Sequence, residues 1–353
     1  MRTTRGVCRG LTVAGMAAGL AVSGLVVPAT AGGTPVEPAT MARGPDPSVT
    51  YLVRDTIHDG MLRVPGTTLG VHQRLWDVRG GYLLEDWVQK SQVSRLVFVG
   101  KGDHAGEKRV VGRSPVLMTA AVSPRHTRVA WTSGRNELST PTRVSVADPV
   151  TGHVVASRKF PWAKVLGVTR TRVLLSRRGI HPPTTTVWWN FRHHRVTTVA
   201  GREGVRADLR HDRIVLATGA FDEPAFCNRV AYLSHPARTL WSSCRWSPHS
   251  WSPDGARVLA THTYFDDVGT DRWLALRASD AQRLGRITGR LAWDAVWEDD
   301  AHFLTLALGD SGQAAIIRCA VGGTCERASR LWDVGKATDQ PNFIRPPVVL
   351  SSS

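Results

Sequence analysis

The residues best suited to chemistry in this chain are carboxylates gathered in short polar stretches. Asp222-Glu223, Asp266-Asp267 and Asp271 form one set, with Arg135, Glu137 and His181 in comparable stretches upstream. Two carboxylates converging on one pocket can divide general acid and general base work between them. Asp266, Asp267 and Asp271 also offer hard oxygen ligands. Calcium is therefore the cation the sequence invites, although their spacing is not that of a helix–loop–helix calcium site. The third use is recognition: charged side chains on neighbouring loops can hold a ligand without transforming it.

Other catalytic sets are incomplete. Gly309-Asp310-Ser311-Gly312 resembles the nucleophile motif of chymotrypsin-like proteases, and Met118-Thr119-Ala120-Ala121 resembles the segment before their histidine. Val122 stands where that histidine should be, and a serine without its base is not activated. His193-His194 reads as a solvated turn, since no cysteine or third histidine has zinc-site spacing. No catalytic residue, metal site or cofactor is therefore expected beyond the calcium question.

The elements that must position these loops are strands. From Val49 onward the 3.6-residue period is missing, and short runs of Val, Leu, Thr, Trp and Arg alternate with turn residues. The clearest unit is Trp251-Ser252-Pro253-Asp254-Gly255 followed by Arg257-Val258-Leu259-Ala260. Pro presets φ at the first corner of the turn and Gly accepts a positive φ at the last. The strand after the turn recurs at Tyr82, Val129, Val173, Ile214, Val258 and Phe303, in steps of 47, 44, 41, 44 and 45 residues. A period near 45 with about four short strands is the mark of a β-propeller blade. The expected fold is all-β: a β-propeller with six countable four-stranded blades. Thr50–Val64 reads as a hairpin turning at His58-Asp59-Gly60, and together with the strand in Pro341–Leu350 it favours a seventh blade closed by both ends of the chain. In such a ring the loops between the second and third strands share one face, which gathers the carboxylates named above. Trp188-Trp189 should send one ring to each neighbouring blade.

The Ser252-Pro253-Asp254-Gly255 hairpin, echoed by Ser123-Pro124, resembles the TolB-like and WD40-like propellers of bacterial cell envelopes. The resemblance spans roughly Leu69 to Trp332. It implies the propeller fold and docking of protein partners. It implies no single activity, because the fold serves scaffolds, binders and enzymes alike.

The N-terminus reads as an export signal. Arg2, Arg5 and Arg9 precede an apolar run from Leu11 to Val27, and Ala29 and Ala31 fit a small-x-small cleavage rule. Residues 1–31 are thus assigned to a signal peptide, 32–48 to a flexible linker without a core, and 49–353 to one propeller domain. No membrane span is expected after cleavage. Four cysteines remain beyond the signal. Cys227 and Cys244 face each other across one predicted hairpin, and Cys319 and Cys325 across another, so these pairings are expected in an exported protein. The formal charge of +16 comes largely from scattered arginines. It forms no polybasic arm, and nucleic acid is not an expected partner. The expectation is a secreted, monomeric, non-catalytic propeller that binds a protein or cell-envelope polymer. The alternative is a propeller hydrolase or lyase acting on glycans or peptides through Asp222, Glu223, Asp266 or Asp267.

Overall fold

The computed structural model describes residues 33–67, 71–88, 90–116, 118–134, 141–177, 184–218, 227–263, 269–334 and 348–352. Among them the regular structure is strand, apart from one short 3-10 turn at Gly102–His104. No helix among the described residues is long and apolar enough to cross a membrane.

The described strands form six sheets that make seven blades of a propeller, because one nine-stranded sheet supplies two blades. Blade 2 runs Val71–Val78, Gly81–Val88, Val93–Gly100 and Lys108–Ser114. Blade 3 runs Ala120–Val122, Val129–Ser133, Thr142–Ala147 and Val154–Phe160. Blade 4 occupies Ala163–Val168 to Arg195–Ala200, and blade 5 Gly204–Asp208 to Thr239–Ser243. Blade 6 begins with Trp246–Trp251, Arg257–His262 and Thr270–Arg277. Its fourth strand belongs to Arg283–Trp297, which also supplies the first strand of blade 7 by pairing with His302–Leu308. Blade 1 takes Tyr51–Val53, Thr56–Asp59 and Leu62–Pro65 from the N-terminal side, and Val348–Leu350 from the C-terminus as its innermost strand.

Burial explains the sequence pattern. The aligned positions Tyr82, Val129, Val173, Ile214 and Val258 are all 0% exposed, and Phe303 is 2% exposed. These second strands are covered on both faces. Val258 and Ala260 join the apolar cluster shared with blade 5, while Leu259 joins the one shared with blade 7. Similar clusters fill the other interfaces. The last runs from blade 6 through blade 7 to Tyr51, Val348 and Leu350, which closes the ring. Trp189 packs between blades 3 and 4, and Trp188 lies against the core between blades 4 and 5.

Turn chemistry recurs where the motif has decayed. The Ser252 hydroxyl accepts the Arg257 N–H at 2.9 Å, and Gly255 takes φ 70°. Ser123 accepts from Arg128 N–H at 3.1 Å, Thr169 from Arg172 at 3.0 Å, Asp208 from Arg210 at 2.9 Å and Asp299 from Ala301 at 2.7 Å. Each first turn is thus fixed by its own leading side chain.

Two details differ from expectation. The segment Thr50–Val64 holds three strands rather than a single hairpin, because Arg54 accepts a left-handed φ of 52° and makes an extra turn. Residues 34–48, whose composition reads as a linker without a core, are bound to the ring. Thr34–Val36 pairs with Ile287–Gly289, and the Val36 side chain is buried. Glu37 then accepts the Asp310 N–H at 2.8 Å, and Arg318 donates to the Pro45 and Asp46 carbonyls. This strap covers outer edges that a bare sheet would expose.

Candidate functional site

The ends of the second strands and the starts of the third strands, together with the links between blades, lie on one rim of the ring, the loop rim. The first turns and the hairpins joining third to fourth strands lie on the other. Strand ends Ser133 and Thr142, Arg177 and Thr185, Ala217 and Asn228, and His262 and Thr270 all belong to the loop rim. Of the residues predicted for this face, Arg135, Glu137, His181, Asp222, Glu223, Asp266 and Asp267 lie outside the described residues. Asp271 is described.

Asp271 sits at the loop-rim end of blade 6, half exposed. Arg272 clamps it through Nε at 3.0 and 3.1 Å to its two carboxylate oxygens. That hydrogen bond, the largest influence, holds Asp271 below the usual carboxylate range and raises Arg272 in turn. A calcium ion at this position would have to displace the guanidinium. Beside the pair, His262 packs against Trp246 with ring centroids 4.9 Å apart, and the Arg245 guanidinium lies 4.7 Å over Trp246. Burial, with the Arg272 charge adding to it, pushes His262 below its ordinary value, so the ring is neutral at pH 7. Arg245, Trp246, His262, Asp271 and Arg272 therefore form one cluster of aromatic and charged groups.

The supporting bonds lie just beneath. Thr261 donates to Thr270 at 2.8 Å and ties the second and third strands of blade 6. The Thr263 N–H reaches the Arg245 carbonyl at 3.1 Å, joining the end of that second strand to the link from blade 5. Cys227 is disulfide-bonded to Cys244, immediately before Arg245, and Cys319 is bonded to Cys325 on the opposite rim. The first bridge ties the start of the third strand of blade 5 to the end of its fourth.

A second histidine sits deeper. His249 occupies a bulge in the first strand of blade 6, 4.9 Å from the Trp273 ring centroid. Burial, reinforced by the Arg206 charge, pushes it well below its ordinary value. Bulges interrupt the first strands of blades 2, 4, 5 and 7 as well. Sequence reasoning missed His249 and the Trp246–His262 contact. The repeat alignment does place Trp246 and His262 on paired strands of one blade, which is the signal that could have found them.

Among the described residues, no three His, Cys, Asp or Glu side chains gather as a metal site.

Successive four-stranded antiparallel blades of this kind define a β-propeller. No protein-family model matches the chain, and no curated protein matches it in sequence. Solved structures share the architecture at low identity. TolB from Acinetobacter baumannii is 11% identical, with 68% of this chain and 65% of that protein covered at a TM-score of 0.44. The chain thus spans just under two thirds of TolB's length. The propeller domain of the Trilobed protease from Pyrococcus furiosus is 11% identical, with 76% and 86% covered at 0.46. An uncharacterized protein of Listeria monocytogenes is 11% identical, with 75% and 83% covered at 0.46. In fold, the chain resembles the TolB-like propellers; these likenesses concern fold alone.

Proposed function

We propose that this chain is an exported, non-catalytic propeller that binds a protein or cell-envelope ligand through its loop rim. The carrying observation is the state of its carboxylates. Asp271, the described member of the predicted set, is clamped as an anion by Arg272, with neutral His262 nearby. Asp59, Asp254, Glu298 and Asp299 are likewise held below the usual range. A general acid needs the opposite shift. A charge clamp beside an aromatic platform suits recognition. The two disulfides and the N-terminal sequence support an oxidising, extracytoplasmic setting.

The test measures binding and turnover together. The purified chain is titrated with isolated cell-envelope polymer and with fractionated envelope protein, while chromogenic glycosides and peptides are assayed in parallel. Saturable binding weakened by Trp246→Ala and by Asp271→Ala, without turnover, is the expected result. Turnover abolished by alanine at Asp222, Glu223, Asp266 or Asp267 overturns the proposal.

A further inference from the structure

The rim of first turns and third-to-fourth hairpins carries a repeat of its own. The residue just before the buried anchor position is arginine in four successive blades: Arg128, Arg172, Arg213 and Arg257. In blade 3 a carboxylate answers it, with Arg128 3.3 Å from Asp148. In blade 6 Arg257 reaches Asp254 at 3.1 Å. In blades 4 and 5 the partner is an aromatic ring. The Arg172 guanidinium lies 4.7 Å over Trp188, and Arg213 lies 4.6 Å over Tyr232, which Arg238 also covers at 4.8 Å. None of these three guanidiniums is ion-paired among the described residues. Stacking fixes a guanidinium while leaving most of its N–H groups for other oxygens.

Further arginines crowd the same stretch of rim. Arg195 pairs with Asn190 and Asn190 with Arg172, so the three form one row on one face of blade 4. Leu174 and Trp188 on that face meet the core shared with blade 5, so the row is turned towards the junction of blades 4 and 5. Arg210 lies in the first turn of blade 5. Its neighbour Leu209 is so close to Gly167 of blade 4 that a Cβ there would stand 2.8 Å away. Arg170 and Arg192 stand on the two turns of blade 4, which touch through the Phe191 N–H and the Thr171 carbonyl at 3.1 Å. Arg170, Arg192, Arg195 and Arg210 are exposed, and their side chains make no hydrogen bond or ion pair among the described residues. The carboxylates of these turns are already committed. Asp208 accepts the Arg210 N–H and holds His211 at 2.7 Å, and Asp212 accepts the Ser234 N–H at 2.8 Å.

Arginines gathered without answering carboxylates repel one another, and a negatively charged partner relieves that repulsion. Their spread over two blades suits an extended ligand rather than one small ion. Guanidinium forks match the two non-bridging oxygens of a phosphodiester. The turn tips Arg170-Thr171, Arg192-His193-His194 and Arg210-His211 carry no large apolar side chain. They therefore offer neither the apolar centre of a protein interface nor an anchor for a bilayer. The Trp188 ring is already stacked under Arg172, which takes the place a nucleobase would use.

We propose that the turn rim of blades 4 and 5 binds a linear phosphodiester polymer without bases, such as a chain of glycerol phosphate repeats, through Arg170, Arg172, Arg192, Arg195 and Arg210. This surface lies on the opposite rim from the blade 6 cluster, and it does not rest on the reading of the loop rim.

The experiment titrates the purified chain with poly(glycerol phosphate), following calorimetric heat. Separate titrations use monomeric glycerol phosphate, an oligodeoxynucleotide and vesicles containing phosphatidylglycerol. Saturable binding of the polymer is expected, with log affinity falling linearly as log salt rises. The monomer should bind at least about tenfold more weakly, because it cannot bridge two blades. Arg192→Gln with Arg195→Gln should weaken polymer binding at least about tenfold and flatten the salt slope. Arg143→Gln with Lys159→Gln removes the same charge from the loop-rim end of blade 3, where the two residues are paired in register. That variant should change affinity by less than about twofold, since salt screens charges so far from the site. All four residues are exposed, and melting checks that both variants fold. No saturable binding of the polymer, equal binding of the monomer, or equal weakening by the two double variants overturns the proposal. So does tighter binding of the oligodeoxynucleotide or of the vesicles than of the polymer.

Discussion

Asp77 is expected to latch the ring, and a double-mutant cycle measures how strongly. It sits on the innermost strand of blade 2 and receives both ends of the propeller. Thr50 donates to one carboxylate oxygen at 3.0 Å, and Ser351 donates to the other at 3.0 Å. Lys101 approaches at 3.7 Å but is also bound to Asp59 at 2.9 Å, so it adds little. A hydroxyl-to-carboxylate bond contributes about 1.5–3 kcal/mol when dry. The Asp77 side chain is 36% exposed, and solvent screening reduces each bond to about 1 kcal/mol. Asp77→Ala should therefore cost about 2 kcal/mol, and Thr50→Val and Ser351→Ala about 1 kcal/mol each. Combining Asp77→Ala with Ser351→Ala should cost no more than Asp77→Ala alone, a coupling of about 1 kcal/mol. Urea unfolding at neutral pH, followed by far-UV circular dichroism, gives these differences as shifts in midpoint at constant slope. Asp310→Ala serves as control, because that side chain is 84% exposed. Additive costs for Asp77 and Ser351 would refute the latch.

Three further outcomes follow from named contacts. Replacing both Cys227 and Cys244 by Ser should destabilise the chain by about 3 kcal/mol, and the same change at Cys319 and Cys325 by about 2 kcal/mol, in proportion to the loops closed; reversed ranking in urea would contradict the chain-entropy account. Stability should fall as pH drops from 7 towards 5, because unfolded histidine takes up protons near pH 6.5 while His249, depressed by burial, resists them, so ΔG rises with pH in that window. The pH slope should flatten in His249→Gln, and a second loss should begin below about pH 4, where the depressed carboxylates Asp254, Glu298 and Asp299 protonate. Gly285→Ala should cost about 3 kcal/mol or more by the same unfolding assay, since its Cβ would lie 1.9 Å from the Val321 carbonyl, whereas Gly322→Ala meets open space and should change little.

The repeat made the blades legible because one position per blade is buried on both faces and tolerates only apolar residues. Leu52 is the copy that spacing hides. It is the second residue of its strand and 1% exposed, like its counterparts. It precedes Tyr82 by only 30 residues, because the strands of blade 1 are short and joined by two-residue turns. The cysteine pairings were legible for a related reason: a disulfide across a hairpin is a statement about register. The strap was not. Pro, Gly and Thr in residues 34–48 give no periodicity, and its attachments are backbone groups and Glu37 reaching distant partners, which composition cannot show.

The two rims of the ring carry unequal constraints, and this bears on where the sequence can vary. On the turn rim, successive blades touch through the turns themselves. The Asp254 N–H donates to Asp300 at 2.8 Å, and the Arg79 N–H donates to the His126 carbonyl at 3.1 Å. Gly255 is pressed against His211, where a Cβ would stand 2.5 Å from the ring. A substitution there strains two blades at once. On the loop rim the fixing bonds lie lower, between strand ends. The Thr119 hydroxyl accepts the Val165 N–H at 2.9 Å and meets Thr132 at 3.2 Å, joining blades 3 and 4. Thr261 with Thr270, and Cys227 with Cys244, do the same work within blades 6 and 5. These bonds join strand ends and do not depend on the residues between them. Substitutions in those intervening segments should therefore cost little stability, while the Ser252–Gly255 turn, the best-formed motif in the sequence, belongs to the rim where substitutions cost most.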